Sequence, residues 1–425
     1  MRIVIATDLY YPQTNGVAVF AKNLAEGLAK KGHRVMVVCP SFKGRKHIVQ
    51  KQNLRIVHLT SARFPFYPDQ IKPVPEKSKF LYRHGLWFAV NANHQVKKAL
   101  DWFQPDVIHI QTNEPIALAA RSYAESRNVP LVTTGHTYPD QITDHLALLK
   151  PIKKQADAVV RAFLVSFMKH AEYNTMPTQI AIDNLINSGK GKEKRFFPIE
   201  AISNGIDLSA FKPGKASNAI YKKYKIPDNK KLVLHVGRID PDKSIDNVID
   251  AFYEVLVKVP EAVLLIVGDG TSKTELTKRV HSLGIEKSVL FLGRILQPDL
   301  SEIYKTADVF VTASEIETQG IVLLEAAAIG LPIVAVDKNA VPDVVEDGKN
   351  GFLAKPGGDI YGLAKGMIRI LSNDALASKF SKYSLEVAKK HDLSNTITKF
   401  IEIYEEAIRL KGFRKKRNWF FRRRI

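Results

Sequence analysis

Cysteine is almost absent from this chain: Cys39 is the only one in 425 residues. That excludes an intramolecular disulfide and a thiolate metal cluster, and it fits a reducing, cytoplasmic setting. No uncharged apolar run reaches the roughly 18 residues that a transmembrane helix needs. A strand pattern starts at Arg2, which is expected to leave no room for a signal peptide. Internal repeats and low-complexity tracts are missing. Hydrophobic content of 45% and charged content of 25% exclude a disordered chain.

Acid is scarce in two places only. Residues 1–180 hold 24 Lys+Arg against 12 Asp+Glu, and residues 411–425 hold eight basic residues and no acid. Residues 201–410 are close to neutral, with 27 basic against 28 acidic. The net charge of +20 therefore sits on the first half and the tail, where an anionic partner would lie. Nucleic acid and an acidic lipid surface both satisfy that requirement.

Strand and helix signals alternate along both halves. Ile3–Ala6 reads as a buried strand, Val19–Lys30 as an amphipathic helix, and Val35–Val38 as the next strand. Val107–Ile110 and Leu131–Thr134 bracket a helix around Ile116–Ser126. The pattern returns with Leu232–Val236, a helix over Ile245–Lys258, then Ala262–Val267, Val289–Leu292, Val309–Thr312 and Ile333–Val336. Such alternation predicts α/β architecture with parallel sheets covered on both faces. Pro198, Asn204-Gly205 and Pro213-Gly214 mark a boundary near 200–215. The expected division is residues 1–200, residues 201–390, a closing amphipathic helix over 391–410 and a basic-aromatic tail over 411–425. Residues 187–195 read as a flexible surface insertion.

The chemistry gathers where strands end. Glu317 and Glu325 flank the run Thr318-Gln319-Gly320-Ile321-Val322-Leu323-Leu324, and Gly320 is expected to open a helix after the strand ending near Thr312. A helix N-terminus offers free N–H groups to phosphate, and open α/β sheets bind ligands at the carboxyl edge. Glu325 falls among apolar neighbours, where an unpartnered carboxylate is costly and vicinal sugar hydroxyls would satisfy it; the plain alternative is a surface-facing Glu. Arg238 and Lys243 stand five apart on the turn after Val236, so both could reach one diphosphate, the Arg as a planar fork and the Lys as a point charge. Equally, Arg238 could simply pair with Asp240 or Asp242. Gly268-Asp269-Gly270 and Gly293-Arg294-Ile295 are further loops at the same edge. In the first half the Asn15-Gly16 loop follows the first strand, and Gly135-His136-Thr137 follows Thr134; Gly16 could just make a turn, and His136 could be a structural hydrogen bonder.

Together these residues resemble family 4 of the retaining glycosyltransferases, whose GT-B architecture has two Rossmann-like, doubly wound domains facing across a cleft. The strongest marks are Gly237-Arg238-x4-Lys243 and Glu317-x7-Glu325, the latter continuing to Gly330-Leu331-Pro332. The likeness runs from the Asn15-Gly16 loop to the closing helix. Thr318-Gln319-Gly320, where many members have Phe-Gly, looks like the diacylglycerol glucosyltransferase branch, as does His136-Thr137-Tyr138 followed by Asp140, Asp144 and His145. Asp242 stands where Glu is usual and Ser244 where Gly is usual.

The resemblance implies a set of roles. Arg238 and Lys243 hold the donor diphosphate, aided by the helix N-terminus at Gln319-Gly320. Glu317 binds hydroxyls of the transferred sugar and Glu325 the ribose. Arg294 and Ile295 border the base, Asn15 and Gly16 close over the phosphates, and His136 contacts the sugar. Two cations and a helix dipole can neutralise a leaving diphosphate without a metal. No carboxylate is an obvious nucleophile, so retention is expected by front-face attack, the diphosphate oxygen taking the acceptor proton. No cofactor is implied beyond the UDP-sugar substrate.

The tail Lys411–Ile425 interleaves Lys415, Lys416 and Arg417 with Trp419, Phe420 and Phe421. It is either a solvated end or a membrane-surface segment, since basic residues and rings both suit the headgroup level. Ile152, Ala156, Val159, Val160, Phe163 and Phe167 fall at helical spacing beside Lys150, Lys153, Lys154 and Arg161; core packing is the expectation there. Arg63–Pro68 reads as a lid, a membrane-facing loop or a packed turn. The expected function is transfer of a hexose, glucose first, from a UDP-sugar to a lipid such as diacylglycerol at the inner face of the cell membrane. The alternative within the class is mannosyl or galactosyl transfer to a phosphoinositide or polyprenyl-linked glycan. An RNA-binding protein is the reading from another class, but no RNA module accompanies the charge.

Overall fold

The computed structural model describes residues 1–13, 15–63, 87–138, 152–186 and 198–422, with residues 413–422 as backbone only. Thr14, Phe64–Pro68, Asp140, Asp144, His145, Lys150 and the 187–195 insertion lie outside the described residues. So do the side chains of Lys415, Lys416, Arg417, Trp419, Phe420 and Phe421. The chain forms two units: Met1–Ser203 joined by Ser394–Ile425, and Asn204–Leu393.

The first unit contains β1 (Arg2–Ala6), β2 (Arg34–Pro40), β3 (His47–Gln50), β4 (Leu54–Leu59), β5 (Ser61–Arg63), β6 (Trp87–Ala89), β7 (Val107–Ile110), β8 (Leu131–Thr134), β9 (Tyr173–Met176) and β10 (Ile199–Ala201). Eight of these make one sheet in the order β10-β9-β8-β7-β1-β2-β4-β3, parallel except for the antiparallel edge strand β3. Strands β5 and β6 pair separately. Ile3 to Ala6 and Val107 to Ile110 are wholly buried, as strands covered on both faces must be.

Helix Gly16–Lys30 begins three residues before its apolar periodicity, because the Asn15 side chain accepts the Ala18 N–H at 2.8 Å and caps it. It packs against the last helix so closely that a Cβ at Gly27 would lie 2.1 Å from Ile397. That last helix is longer than the sequence predicts: it runs Leu393–Arg422, straight through most of the expected tail. Nothing in Lys411–Arg422 breaks a helix except the weak breaker Gly412, and straight-chain Lys and Arg sustain one. Its anchor in the first unit includes Lys411 Nζ, 3.0 Å from the buried Glu172 carboxylate.

Helix Lys153–Met168 departs from expectation in another way. Leu164, Val165, Phe167 and Met168 are buried, but Ile152, Val159 and Phe163 are 50%, 70% and 46% exposed. The set is therefore not core packing throughout. Apolar residues run around more of this helix than one buried face can cover, so half of the stripe is left in solvent.

The second unit holds β11 (Lys231–Val236), β12 (Ala262–Val267), β13 (Val289–Gly293), β14 (Val309–Val311), β15 (Ile333–Val336) and β16 (Gly351–Ala354), all parallel, in the order β13-β12-β11-β14-β15-β16. The order reverses at β11, so the crevice between β11 and β14 is a topological switch point. Helix Ile321–Ile329 follows β14 and is buried nearly all round. Gly320 at its start and Gly330 at its end hold φ of 75° and 88°, which a side chain would strain.

Candidate active site

The second unit carries the larger cluster, built on the carboxyl ends of β11, β12, β13 and β14. Strand β11 ends at Val236, and Gly237 lets the chain turn beside β12; a Cβ at Gly268, after β12, would sit 1.8 Å from the Gly237 carbonyl oxygen. The turn Pro241–Lys243 then carries Lys243 over the switch point toward the loop after β14. Its Nζ lies 2.6 Å from Glu317 Oε1, 3.3 Å from Ser314 Oγ and 3.7 Å from Asp242 Oδ2.

Arg238 is paired with both acids of its own turn, Asp240 and Asp242, the second at 2.8 Å. Asp240 in turn accepts the Thr271 N–H and hydroxyl at 2.9 and 3.0 Å, which fixes it to the loop after β12. The strand-end ion pair and the phosphate-facing position are thus compatible. Two cations and three carboxylates share the crevice, and an incoming anion could take over cationic partners already in position.

Glu317 is partly buried, which pushes its carboxyl up, yet Lys243, Ser314 and Arg238 together leave it below its ordinary value. It stays an anion. Glu325 differs: burial pushes it up to about 7, opposed only by the Tyr304 hydroxyl, which donates to its Oε2 at 2.7 Å. Tyr304 is wholly buried between Phe310 and Phe211, with ring centroids at 5.9 and 5.8 Å. Glu325 is thus an inward residue of a buried helix, not a surface-facing one.

Gln319 is also buried, and its Oε1 accepts the Asn204 N–H at 2.8 Å, tying the helix start to the first residue of this unit. Gly320 and the first helical turn present the N–H groups that an α-helix leaves without intrahelical partners. Arg294 and Ile295 follow β13, Arg294 half-buried and Ile295 buried. His235, the last residue but one of β11, is buried and neutral: burial pushes it down to about 4, Nδ1–H donates to Val311 O at 3.0 Å, and Nε2 has no hydrogen-bond partner among the described residues.

The first unit carries the remaining predicted residues. Asn15 caps its helix, so its carbonyl oxygen is engaged, and Gly16 is exposed at the helix start. His136 follows β8 with Nε2 2.8 Å from Gln111 Oε1, and burial pushes it down to about 3. A small pocket beside it is bordered by Thr112, Asn113, Thr137, Phe167 and Met168. Asp8, after β1, accepts the Ile116 and Ala117 N–H groups and the Thr112 hydroxyl, closing the start of helix Pro115–Arg127.

Sequence reasoning missed Tyr304, Ser314, His235 and Gln111. Only Tyr304 left a signal, since a tyrosine on an apolar helix face must find its hydroxyl a partner.

Two doubly wound units, the second with an Arg/Lys/Glu cluster at its switch point, define a glycosyltransferase of the GT-B class. Residues 217–387 match the family model for glycosyl transferases group 1, and residues 14–210 that for glycosyltransferase family 4. The chain is 29% identical over 360 residues to the alpha-monoglucosyldiacylglycerol synthase of Streptococcus pneumoniae, covering 83% of this chain and 75% of that protein. It is 28% identical to the enzyme of the same name from Acholeplasma laidlawii, covering 92% and 93%. A sucrose-phosphate synthase from Thermosynechococcus elongatus shares the fold, with a TM-score of 0.75 at 18% identity and coverage of 96% and 98%. The chain belongs to glycosyltransferase family 4. No helix among the described residues is long and apolar enough to cross a membrane.

Proposed function

We propose that this glycosyltransferase moves a hexose, with glucose as the leading candidate, from a UDP-sugar to a hydroxyl of a membrane lipid such as diacylglycerol, with retention of configuration. The observation that carries the reading is the Lys243–Glu317 pair at the switch point, with Arg238 held beside it. Departure of UDP leaves charge on the diphosphate, and preorganised cations are the groups that stabilise it. Glu317, ionised and fixed by Lys243, is suited to accept hydrogen bonds from sugar hydroxyls. Glu325, fixed by Tyr304, is suited to the ribose. Arg294 and Ile295 border the base in this reading, and the helix N-terminus at Gln319-Gly320 faces the phosphates. The roles of Asn15 and Gly16 on the phosphates and of His136 on the sugar come from the family resemblance.

The acceptor hydroxyl attacks the anomeric carbon as the bond to the diphosphate oxygen breaks, and that oxygen takes the proton. Sugar and proton both move, and no enzyme-bound intermediate is required. The two named relatives, both glucosyl-lipid synthases, support the choice of lipid acceptor. The basic first half, the exposed Val159 and Phe163, and the basic-aromatic end of the last helix favour peripheral attachment to an anionic membrane.

The test is to incubate the protein with liposomes containing diacylglycerol and a panel of UDP- and GDP-hexoses. The product would then be identified, with its anomeric configuration, by mass spectrometry and NMR. An α-glucosyl lipid made only from UDP-glucose is expected. No transfer to diacylglycerol, or a β-linked product, would refute the assignment.

A further inference from the structure

Strands β11 and β14 flank the switch point, and their backbone pairing is short. Val233 faces Val309, Leu234 faces Phe310, and no further pair follows among the described residues. β11 stays with β12 through Val236, and the Gly237 N–H still donates to Val267 O at 3.0 Å. β14 leans the other way, the Phe310 and Thr312 N–H groups donating to Pro332 O and Val334 O at 3.0 Å. The crevice opens where the two strands part. Just past the last backbone pair a side chain takes over: His235 Nδ1 lies 3.0 Å from Val311 O. Both residues are buried.

A carbonyl oxygen only accepts, so His235 Nδ1 bears a proton and donates it. Burial keeps the ring neutral, pushing it down to about 4, and Nε2 is therefore bare. Nε2 has no hydrogen-bond partner among the described residues, which leaves the bond to Val311 as the ring's one polar link there. The ring packs beside the Gly237 turn, where a Cβ would stand 3.3 Å from Nε2. The Lys243 ammonium and the Glu317 carboxylate both act on it through space, which places it near that pair. The strand ends that it joins carry the pair: β11 leads to Lys243, and β14 leads to Ser314 and Glu317, which both receive the Lys243 ammonium.

We infer that His235 is a positioning residue of the donor site: by donating Nδ1–H to Val311 O it joins β11 and β14 where their backbone pairing has stopped, and so fixes the spacing at which Lys243 and Glu317 meet. What that spacing serves rests on the role of the pair under the proposed function. Without the link the two strand ends are held by β12 and β15 alone, and the cation shifts from the place where charge develops on the diphosphate. UDP binding suffers less, because in the same reading Arg238 and the first turn of helix Ile321–Ile329 also contribute to it.

The experiment pairs the kinetics of three variants with NMR of the ring. Asn at 235 places an amide N–H near the position of Nδ1–H, Gln reaches the position of Nε2, and Leu has no polar atom at either. His235→Leu and His235→Gln should lower kcat about tenfold, the size of one lost hydrogen bond, with a smaller loss of UDP affinity, whereas His235→Asn should keep most of kcat. In a Glu317→Gln background His235→Leu should cost less than about threefold, because residues that act through one pair are not additive. Thermal melts establish folding. Two-bond ¹H–¹⁵N correlation NMR on the full chain labelled at histidine, with His235 assigned from the signal lost in His235→Asn, should show Nδ1 protonated and Nε2 bare. A ring protonated at Nε2 would overturn the inference even if no variant folded. So would wild-type kcat in folded His235→Leu, or rescue by Gln and not by Asn. An equal loss with and without Glu317 would also overturn it, since that marks a residue that only supports the fold. A protein with the expected ring that transferred no hexose would refute the proposed function instead, and the same cycle read in UDP affinity would still decide whether His235 places Lys243.

Discussion

Lys243 and Glu317 are 74 residues apart in the chain and 2.6 Å apart in the fold. One follows β11 and the other β14, the two strands that flank the switch point of the second sheet. The pair is therefore a product of topology: only a sheet that places β14 beside β11 brings these loops together. Both side chains are 16% exposed, so neither ion is fully hydrated and each depends on the other. With Arg238 locked between Asp240 and Asp242, the cations are ordered before any anion arrives. Preorganisation of that kind means that little reorientation is needed in the transition state.

Substitution within the pair should be severe for turnover and mild for the fold. Glu317→Gln and Lys243→Ala are each expected to lower kcat at least roughly a hundredfold, the effect of losing a preorganised charge at a developing anion. Lys243→Ala should also weaken UDP binding, because its ammonium is one of two cations available to the diphosphate. Steady-state kinetics with calorimetric UDP titration would check both, alongside thermal melts to establish folding. Wild-type rates in the two folded variants would remove this site from consideration.

Activity should persist in EDTA. Under the proposed function, Arg238, Lys243 and the first turn of helix Ile321–Ile329 would supply the positive field that Mg²⁺ provides in many transferases. Rates measured with chelator and after adding Mg²⁺ or Mn²⁺ should agree within error. A rate that vanished with EDTA and returned with metal would contradict the mechanism.

Much of the second unit was legible in the sequence because its strands are short apolar runs between loops with strong glycine and charge signals. The helix Ile245–Lys258 and the strand Ala262–Val267 fall where the periodicity puts them. Arg238, Lys243, Glu317 and Glu325 could be picked out because a charge next to a strand end or among apolar residues is conspicuous. Their partners could not. Tyr304 and Ser314 meet Glu325 and Lys243 only through tertiary packing, and no local pattern distinguishes them from other core or loop residues. Gln111 was hidden for the same reason, since it meets His136 only because β7 and β8 pair. The exposed half of helix Lys153–Met168 was misread because periodicity identifies an apolar face but does not say what covers it.

Glu325 should leave a signature in the pH dependence of stability. Its carboxyl is raised from an ordinary 4.5 to about 7 in the folded chain. The folded state therefore holds a proton that the unfolded state has already lost between those values. Its contribution is complete below pH 4.5 and is lost as pH rises through about 7. His136 and His235, pushed down to about 3 and about 4, act in the opposite sense, so the comparison must be with Glu325→Gln and not with pH alone. The wild type should lose up to a few kcal/mol relative to Glu325→Gln between pH 5 and 8. Denaturant melts at several pH values would read the difference. Parallel curves for the two proteins would mean that Glu325 is ionised throughout. Tyr304→Phe removes the only hydroxyl that favours the carboxylate and should steepen the wild-type trend.

Membrane attachment is expected to depend on the far end of the last helix. Lys411 should be kept in any truncation, because it pairs with the carboxylate of Glu172, whose side chain is 1% exposed. Removing residues 413–425 takes away seven basic residues and four aromatics while leaving that pair intact. The truncated protein should bind UDP as before, since every donor-site residue lies in Asn204–Leu393 or well upstream of the cut. It should lose most of its affinity for anionic liposomes and slow down on membrane-embedded acceptor, each basic residue near such a surface being worth about 1 kcal/mol. High salt should reproduce the loss only in part. Phe413, Trp419, Phe420 and Phe421 add an apolar contribution that screening does not remove, and the exposed Ile152, Val159 and Phe163 can add their own. Sedimentation with neutral and anionic liposomes, with and without residues 413–425, separates these terms. Equal binding by both proteins would show that the end of the helix is a solvated extension and that attachment, if any, lies on helix Lys153–Met168.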